Sequence, residues 1–119
     1  MSHKTDKNWR ILKDTSKGKY CYLIGIDSWA ISLQECEFNS LKKTLNKLYE
    51  QFLNINSQLM EEELISIEIT DSNWYVELEG NKSNWSLRII FETYEDIRSF
   101  EMYWPIQIAK NLFFEMRKM

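Results

Sequence analysis

The chain has 119 residues, 44% of them apolar and 14% aromatic, with a formal net charge of −3. That is one domain with enough apolar mass for a core without disulfide staples, and it excludes a disordered chain. Three glycines and one proline disfavour a sandwich of many short strands joined by tight turns. No apolar run approaches the roughly 18 residues of a membrane span.

The first seven residues, Met1 to Lys7, are polar and are expected to be flexible, with the single domain spanning 1–119. Trp9–Lys13 reads as a first strand and Thr15–Lys19 as a turn. Tyr20–Ile26 reads as a second, almost continuously apolar strand. Asp27-Ser28 is a tight turn and Trp29–Leu33 a third strand. Gly25, inside an apolar strand pattern, suggests a bulge or a close backbone approach.

A long helix is expected over 35–60. Phe38, Leu41, Leu45, Leu48, Phe52, Ile55 and Leu59 recur at alternating steps of three and four, and Tyr49, Leu53 and Met60 widen that stripe. Either Ser32 with Glu35 forms its capping box or Gln34 prolongs the strand before it. At about 1.5 Å per residue the helix would run roughly 39 Å, across the whole domain. Its stripe lies diagonally across a sheet or seals a coiled-coil dimer. The flanking Lys42, Thr44, Tyr49, Gln51, Asn56 and Gln58 are not opposed charges, so core packing and a monomer are favoured, with a dimer through this helix as the alternative.

Beyond the helix the period switches to two. Ile65, Ile67 and Ile69 alternate with polar residues, and Asp71–Asn73 makes a hairpin turn. Trp74, Val76 and Leu78 alternate with Tyr75, Glu77 and Glu79. After a turn at Gly80–Asn84, Trp85, Leu87, Ile89 and Phe91 continue the pattern. Tyr94–Arg98 reads as a loop, and Phe100, Met102 and Trp104 as a last strand. Pro105 suits the first position of a closing helix with Ile108, Ala109, Leu112, Phe113 and Met116 on its apolar face. The order βββα-ββββα defines an α+β fold: antiparallel meandering sheet with two helices.

Several phrases together resemble a cyanobacterial family of unknown function, number 1818. They are Asn8-Trp9-Arg10, Leu23-Ile24-Gly25, Trp29–Leu33, Leu59–Glu63, Glu77–Gly80, Ser86-Leu87-Arg88 and Trp104-Pro105, spread in order along nearly the whole chain. The resemblance implies a fold like that of the Whirly proteins and of transcriptional positive cofactor 4, which bind single-stranded DNA. One strand of the first half is then missing or merged. The family supplies a fold and no activity.

Catalysis lacks its parts. The only histidine, His3, sits in the polar terminus, and no Gly-rich phosphate loop or Cys-x-x-Cys occurs, so no enzyme and no cofactor are expected. Cys21 and Cys36 fit no metal-ligand spacing and follow no signal peptide. Both are expected to be reduced core thiols in a cytoplasmic protein. Glu61, Glu62 and Glu63 form an acidic run whose carboxylates point in different directions, so exposed solvated charge, with a partner-facing patch as the alternative, fits them better than a cation site.

Charge is uneven. Residues 1–60 carry nine Lys/Arg against six Asp/Glu, and residues 61–119 carry six against twelve. The leading expectation is a non-enzymatic domain that binds a protein partner. The alternative is a single-stranded nucleic-acid-binding transcriptional regulator. It would use Arg10, Lys13, Lys17 and Lys19 beside Tyr20 and Tyr22, because stacking on such a surface needs aromatics inside a cationic groove. Trp74, Trp85 and Trp104 share register with apolar neighbours and belong to the core.

Overall fold

The computed structural model describes residues 8–27, 29–93 and 98–119, and the backbone of 2–5. Its elements are β1 (Ser2–Thr5), β2 (Trp9–Lys13), β3 (Tyr22–Ile26), β4 (Trp29–Leu33), α1 (Glu35–Asn56), β5 (Ile65–Asp71), β6 (Trp74–Gly80), β7 (Trp85–Thr93), β8 (Arg98–Trp104) and α2 (Ile106–Arg117). The expected βββα-ββββα order is present from β2 onward, and the fold is α+β. Ahead of it stands β1, which pairs antiparallel with β2 from Ser2↔Lys13 to Thr5↔Arg10. Part of the terminus expected to be flexible is therefore a fourth strand. Met1, Asp6, Lys7, Ser28 and residues 94–97 lie outside the described residues, so most of the expected 94–98 loop does too.

Two antiparallel meanders result, β1-β2-β3-β4 and β5-β6-β7-β8. Each follows from period-two burial. In the first sheet Trp9, Ile11, Ile24, Ile26 and Leu33 face inward and are buried. In the second, Trp74, Val76, Leu78, Trp85, Leu87, Ile89, Phe91, Met102 and Trp104 do the same. The three late tryptophans are core residues, as expected. Buried side chains of both sheets and both helices form one cluster.

The helix does not cover the meander that precedes it. α1 lies mainly on β5 and β6, and α2 lies on β7 and reaches β2. The first turn of α1 meets the first sheet, where Phe38 stacks on Tyr22 with ring centroids 4.0 Å apart. Phe38, Leu41, Leu45, Leu48 and Phe52 are buried within the chain.

α1 ends at Asn56, four residues short of expectation. Leu53 and Ile55 are exposed, so no burial holds further turns, and Asn54, Asn56 and Ser57 are weak helix formers. The end tightens into three-residue turns, with Gln58 N–H donating to Ile55 O and Leu59 N–H to Asn56 O. The start at Glu35 is as expected, but the cap is not. Gln34 is the N-cap, and Glu37 accepts its backbone N–H at 2.8 Å. Pro105 is the N-cap of α2, one position earlier than expected, and its carbonyl accepts Ile108 and Ala109 N–H.

Gly25 marks a close approach with the register intact, opposite Arg10. A Cβ there would come 2.6 Å from Arg10 Cζ. At Gly80 (φ 158°) a Cβ would strike the Asn84 carbonyl oxygen across the β6–β7 turn. Cys21 is buried, but Cys36 is exposed in the first turn of α1, against the expectation of two core thiols. The helical step from Cys36 leads to Ser40 and Lys43, on the solvent side of the stripe.

Candidate interaction surfaces

The basic residues of the first half divide. The β2–β3 turn carries Lys17 and Lys19, both exposed. Asp14 shapes this turn by accepting Ser16 N–H at 3.1 Å and Ser16 O–H at 2.6 Å. Lys19 lies 5.7 Å from the Tyr20 ring. Arg10 sits three strand-pair steps from Tyr22 along β3, over Gly25 and on the outer face of the sheet. Tyr22 is not available for stacking, because its ring is buried against Phe38. It shares inward parity with Ile24 and Ile26, a register that the mixed apolar run hid. Lys13 lies 5.4 Å over that ring. Its hydrogen bond to Tyr22 raises it above the ordinary lysine value, so it stays charged. The structure thus gathers Lys13, Lys17, Lys19 and Tyr20 near one end of the sheet, with Tyr22 withdrawn and Arg10 apart.

Tyr20 also faces Arg98, whose guanidinium is 4.8 Å from its ring. Arg98, expected at the end of a loop, opens β8 instead. Its Nη1 contacts both carboxylate oxygens of Glu37, at 3.0 and 2.8 Å, and its Nη2 donates to Ser32 O at 2.9 Å. One side chain of β8 therefore holds the last strand of the first sheet and the capped start of α1. These bonds connect the halves of the chain and leave the guanidinium engaged.

The outer face of the second sheet is acidic. Glu68, Glu77 and Arg88 form one cross-strand row, with Tyr103 beyond Arg88. The Tyr75 hydroxyl bridges Glu68 at 2.8 Å and Glu77 at 2.9 Å. Sharing its one hydroxyl proton between two carboxylates pushes the phenol well above the ordinary value. Glu79 is also raised, by its hydrogen bond to the Glu77 carboxyl and by that group's charge. A folded value raised above the unfolded one contributes stability at pH below the unfolded value, and that contribution is lost as pH rises through the folded value. Charged Glu79 is therefore a liability at neutral pH. Glu79→Gln is expected to raise the urea midpoint at pH 7 and to leave it unchanged at about pH 3, below the ordinary glutamate range. A midpoint that falls at pH 7 would contradict this.

At one end of that face the acidic surface meets apolar groups. A groove of about 520 Å³ is lined by Leu64, Ile65, Ser66, Glu79, Gly80, Ser86, Tyr103 and Ile106. Glu61, Glu62 and Glu63 are exposed in the turn that leads into Leu64, not on the helix. That turn is tied down: Ser83 O–H donates to Glu61 at 3.3 Å, and Lys110 donates to Ser83 O at 2.8 Å. Leu64 and Ile106 belong to no expected site, and Tyr103 counts in the sequence only as one of several available aromatics. Their signals were faint: a leucine closing an acidic run, a tyrosine at outward parity, an isoleucine directly after Pro105. Among the described residues, no three His, Cys, Asp or Glu side chains are placed to hold a metal ion. No described helix is long and apolar enough to cross a membrane.

Two antiparallel meanders that share two helices define an α+β domain. The chain belongs to a family described as Domain of unknown function (DUF1818), whose model matches residues 4–119. It is similar to a crystal structure from the cyanobacterium Prochlorococcus sp. NATL2A, described as a protein with unknown function from the DUF155 family. The two are 33% identical with a TM-score of 0.91, covering 100% of this chain and 98% of that one. The family labels differ, and the match over 4–119 is the one that assigns the family here. No curated protein matches.

Proposed function

We propose that this chain is a non-enzymatic interaction domain that binds a protein partner in the cytoplasm. One observation carries the reading: exposed large apolar side chains, Leu64, Tyr103 and Ile106, line the same groove. Gathered exposed apolar groups on a folded domain mark contact surfaces, whereas scattered ones do not. The burial of the α1 stripe within the chain supports a monomer over a dimer through α1. The Whirly-like fold is part of this proposal, and β1 supplies the fourth strand that the likeness implies for the first half. Cross-linking in the host, followed by mass spectrometry, tests the reading. A specific protein partner is expected, and none above the background of an unrelated domain overturns it.

The second reading, a single-stranded nucleic-acid-binding regulator, is favoured by Lys17 and Lys19 projecting beside Tyr20. It is weakened by the loss of Tyr22 as a platform and by the acidic second sheet, which repels phosphate. Titration with a fluorescent single-stranded oligonucleotide is expected to give a Kd weaker than about 10⁻⁴ M at physiological salt, the weak end of non-specific binding. Tighter binding that is lost in a Lys17→Ala/Lys19→Ala variant would reverse the order of the two readings.

A further inference from the structure

We propose that the groove at the end of the second sheet is a docking site for a basic peptide segment carrying large apolar anchors. The inference rests on the protein-binding reading and names the partner chemistry that this surface selects.

The shape comes from the register. Ser66, Glu79 and Ser86 are directly opposed across β5, β6 and β7. The two serines are short, so the sheet surface is recessed along that row. Strands lie about 4.8 Å apart, so the trough extends across the strands as a channel rather than a closed hole. Around it stand Leu64, Tyr103 and Ile106, which are 82%, 55% and 47% exposed. A volume of about 520 Å³ has room for one or two large side chains, and an open channel leaves the rest of a peptide free to continue past them. The turn before Leu64 is braced by the Glu61–Ser83 hydrogen bond. Glu63 adds to this by accepting Met60 N–H at 3.3 Å. The wall is thus formed before a partner arrives, which lowers the ordering cost of binding.

Charge fixes the rest of the occupant. Glu61, Glu62 and Glu63 are exposed beside Leu64, and Glu79 lies in the trough. Lys82 and Lys110 are the cations of the adjoining turn and helix, and the Lys110 ammonium is held by the Ser83 carbonyl. Carboxylates therefore outnumber cations around the apolar walls. Lys or Arg next to an apolar anchor is matched there, while an acidic segment or a phosphate chain is repelled.

A random twelve-residue peptide-display library, panned on the full chain, is the probe. Enrichment of sequences combining Lys/Arg with Leu, Ile, Phe or Trp is expected. Fluorescence anisotropy of an enriched peptide is expected to show affinity at least about tenfold weaker in Leu64→Ser/Ile106→Ser and in Glu61→Lys/Glu62→Lys/Glu63→Lys, and weaker in high salt. These positions are exposed, so circular dichroism should match the wild type, with melting lowered only slightly where Glu61 and Glu63 lose their hydrogen bonds. Leu53→Ser, an exposed control on α1, should bind normally. No enrichment, an acidic or uncharged consensus, or undiminished binding in both groove variants overturns the proposal. The two readings separate in the host cross-linking experiment. A partner captured equally by the wild type and the groove variants defeats the groove alone, and no partner at all defeats the protein-binding reading as well.

Discussion

Replacing Trp85 with alanine is expected to cost about 3–5 kcal/mol of folding stability, the range for truncating a buried tryptophan or phenylalanine. Trp85 is buried where both helices meet the second sheet. Its ring lies 6.3 Å from Tyr49 and 6.1 Å from Phe52 on α1, and 6.2 Å from Phe113 on α2. Neighbours on two separate helices cannot both move in to fill the space, so most of the void remains. A domain of this size is stable by only about 5–15 kcal/mol, so the loss is a large fraction of the total. Trp85→Phe should cost much less. It keeps a ring in the cluster and removes an indole N–H that has no hydrogen-bond partner among the described residues. Urea unfolding followed by circular dichroism checks both. A cost below about 1 kcal/mol for the alanine variant would show that the helices close over the gap.

Glu37→Ala is expected to cost about 2–3 kcal/mol, combining a lost helix cap with a broken, partly buried ion pair. Glu37 accepts the Gln34 backbone N–H and meets Arg98 Nη1 with both carboxylate oxygens. The side chains of Glu37 and Arg98 are 10% and 24% exposed, so the pair is less screened than a surface bridge and less costly to break than a fully buried one. Glu37→Gln keeps an oxygen for the Gln34 N–H and loses the charge, so it should fall between the wild type and Glu37→Ala. A double-mutant cycle with Arg98→Ala should give a coupling of about 1–2 kcal/mol. A coupling near zero would mean that Arg98 holds the halves through Ser32 and Tyr20 alone.

The strands of the second half were legible because each buries one face and shows the other to water. Alternation from Ile65 to Phe91 is therefore a direct record of burial. The stripe from Phe38 to Phe52 was legible for the same reason at helical spacing. What the periodicity could not carry was which sheet the stripe meets. Apolar spacing records that a face is covered and says nothing about what covers it, so the expectation of a stripe across a sheet left open which sheet, and α1 rests on β5 and β6. Its end was hidden as well, since Ile55 and Leu59 extend the pattern past the last turn that has anything to pack on. β1 carries no apolar alternation, and only its backbone pairing reveals it. Of the basic site, Lys17, Lys19 and Tyr20 were placed together by simple adjacency, whereas the inward parity of Tyr22 depended on a register that an unbroken apolar run leaves open. The groove was the least legible, because Leu64 lies far from Tyr103 and Ile106 in sequence and shares a groove with them only through the pairing of β5 to β8.

The position of α1 on β5 and β6 bears on how the protein is made. When a ribosome has released α1 but not yet β5, the chain holds an amphipathic helix whose covering strands do not exist. The first meander offers it little beyond the Tyr22–Phe38 contact. The two strand-then-helix halves therefore do not form as successive units during synthesis. The nascent N-terminal half must wait with its greasy stripe uncovered, a natural client for a ribosome-associated chaperone, until the second meander emerges and both halves close together.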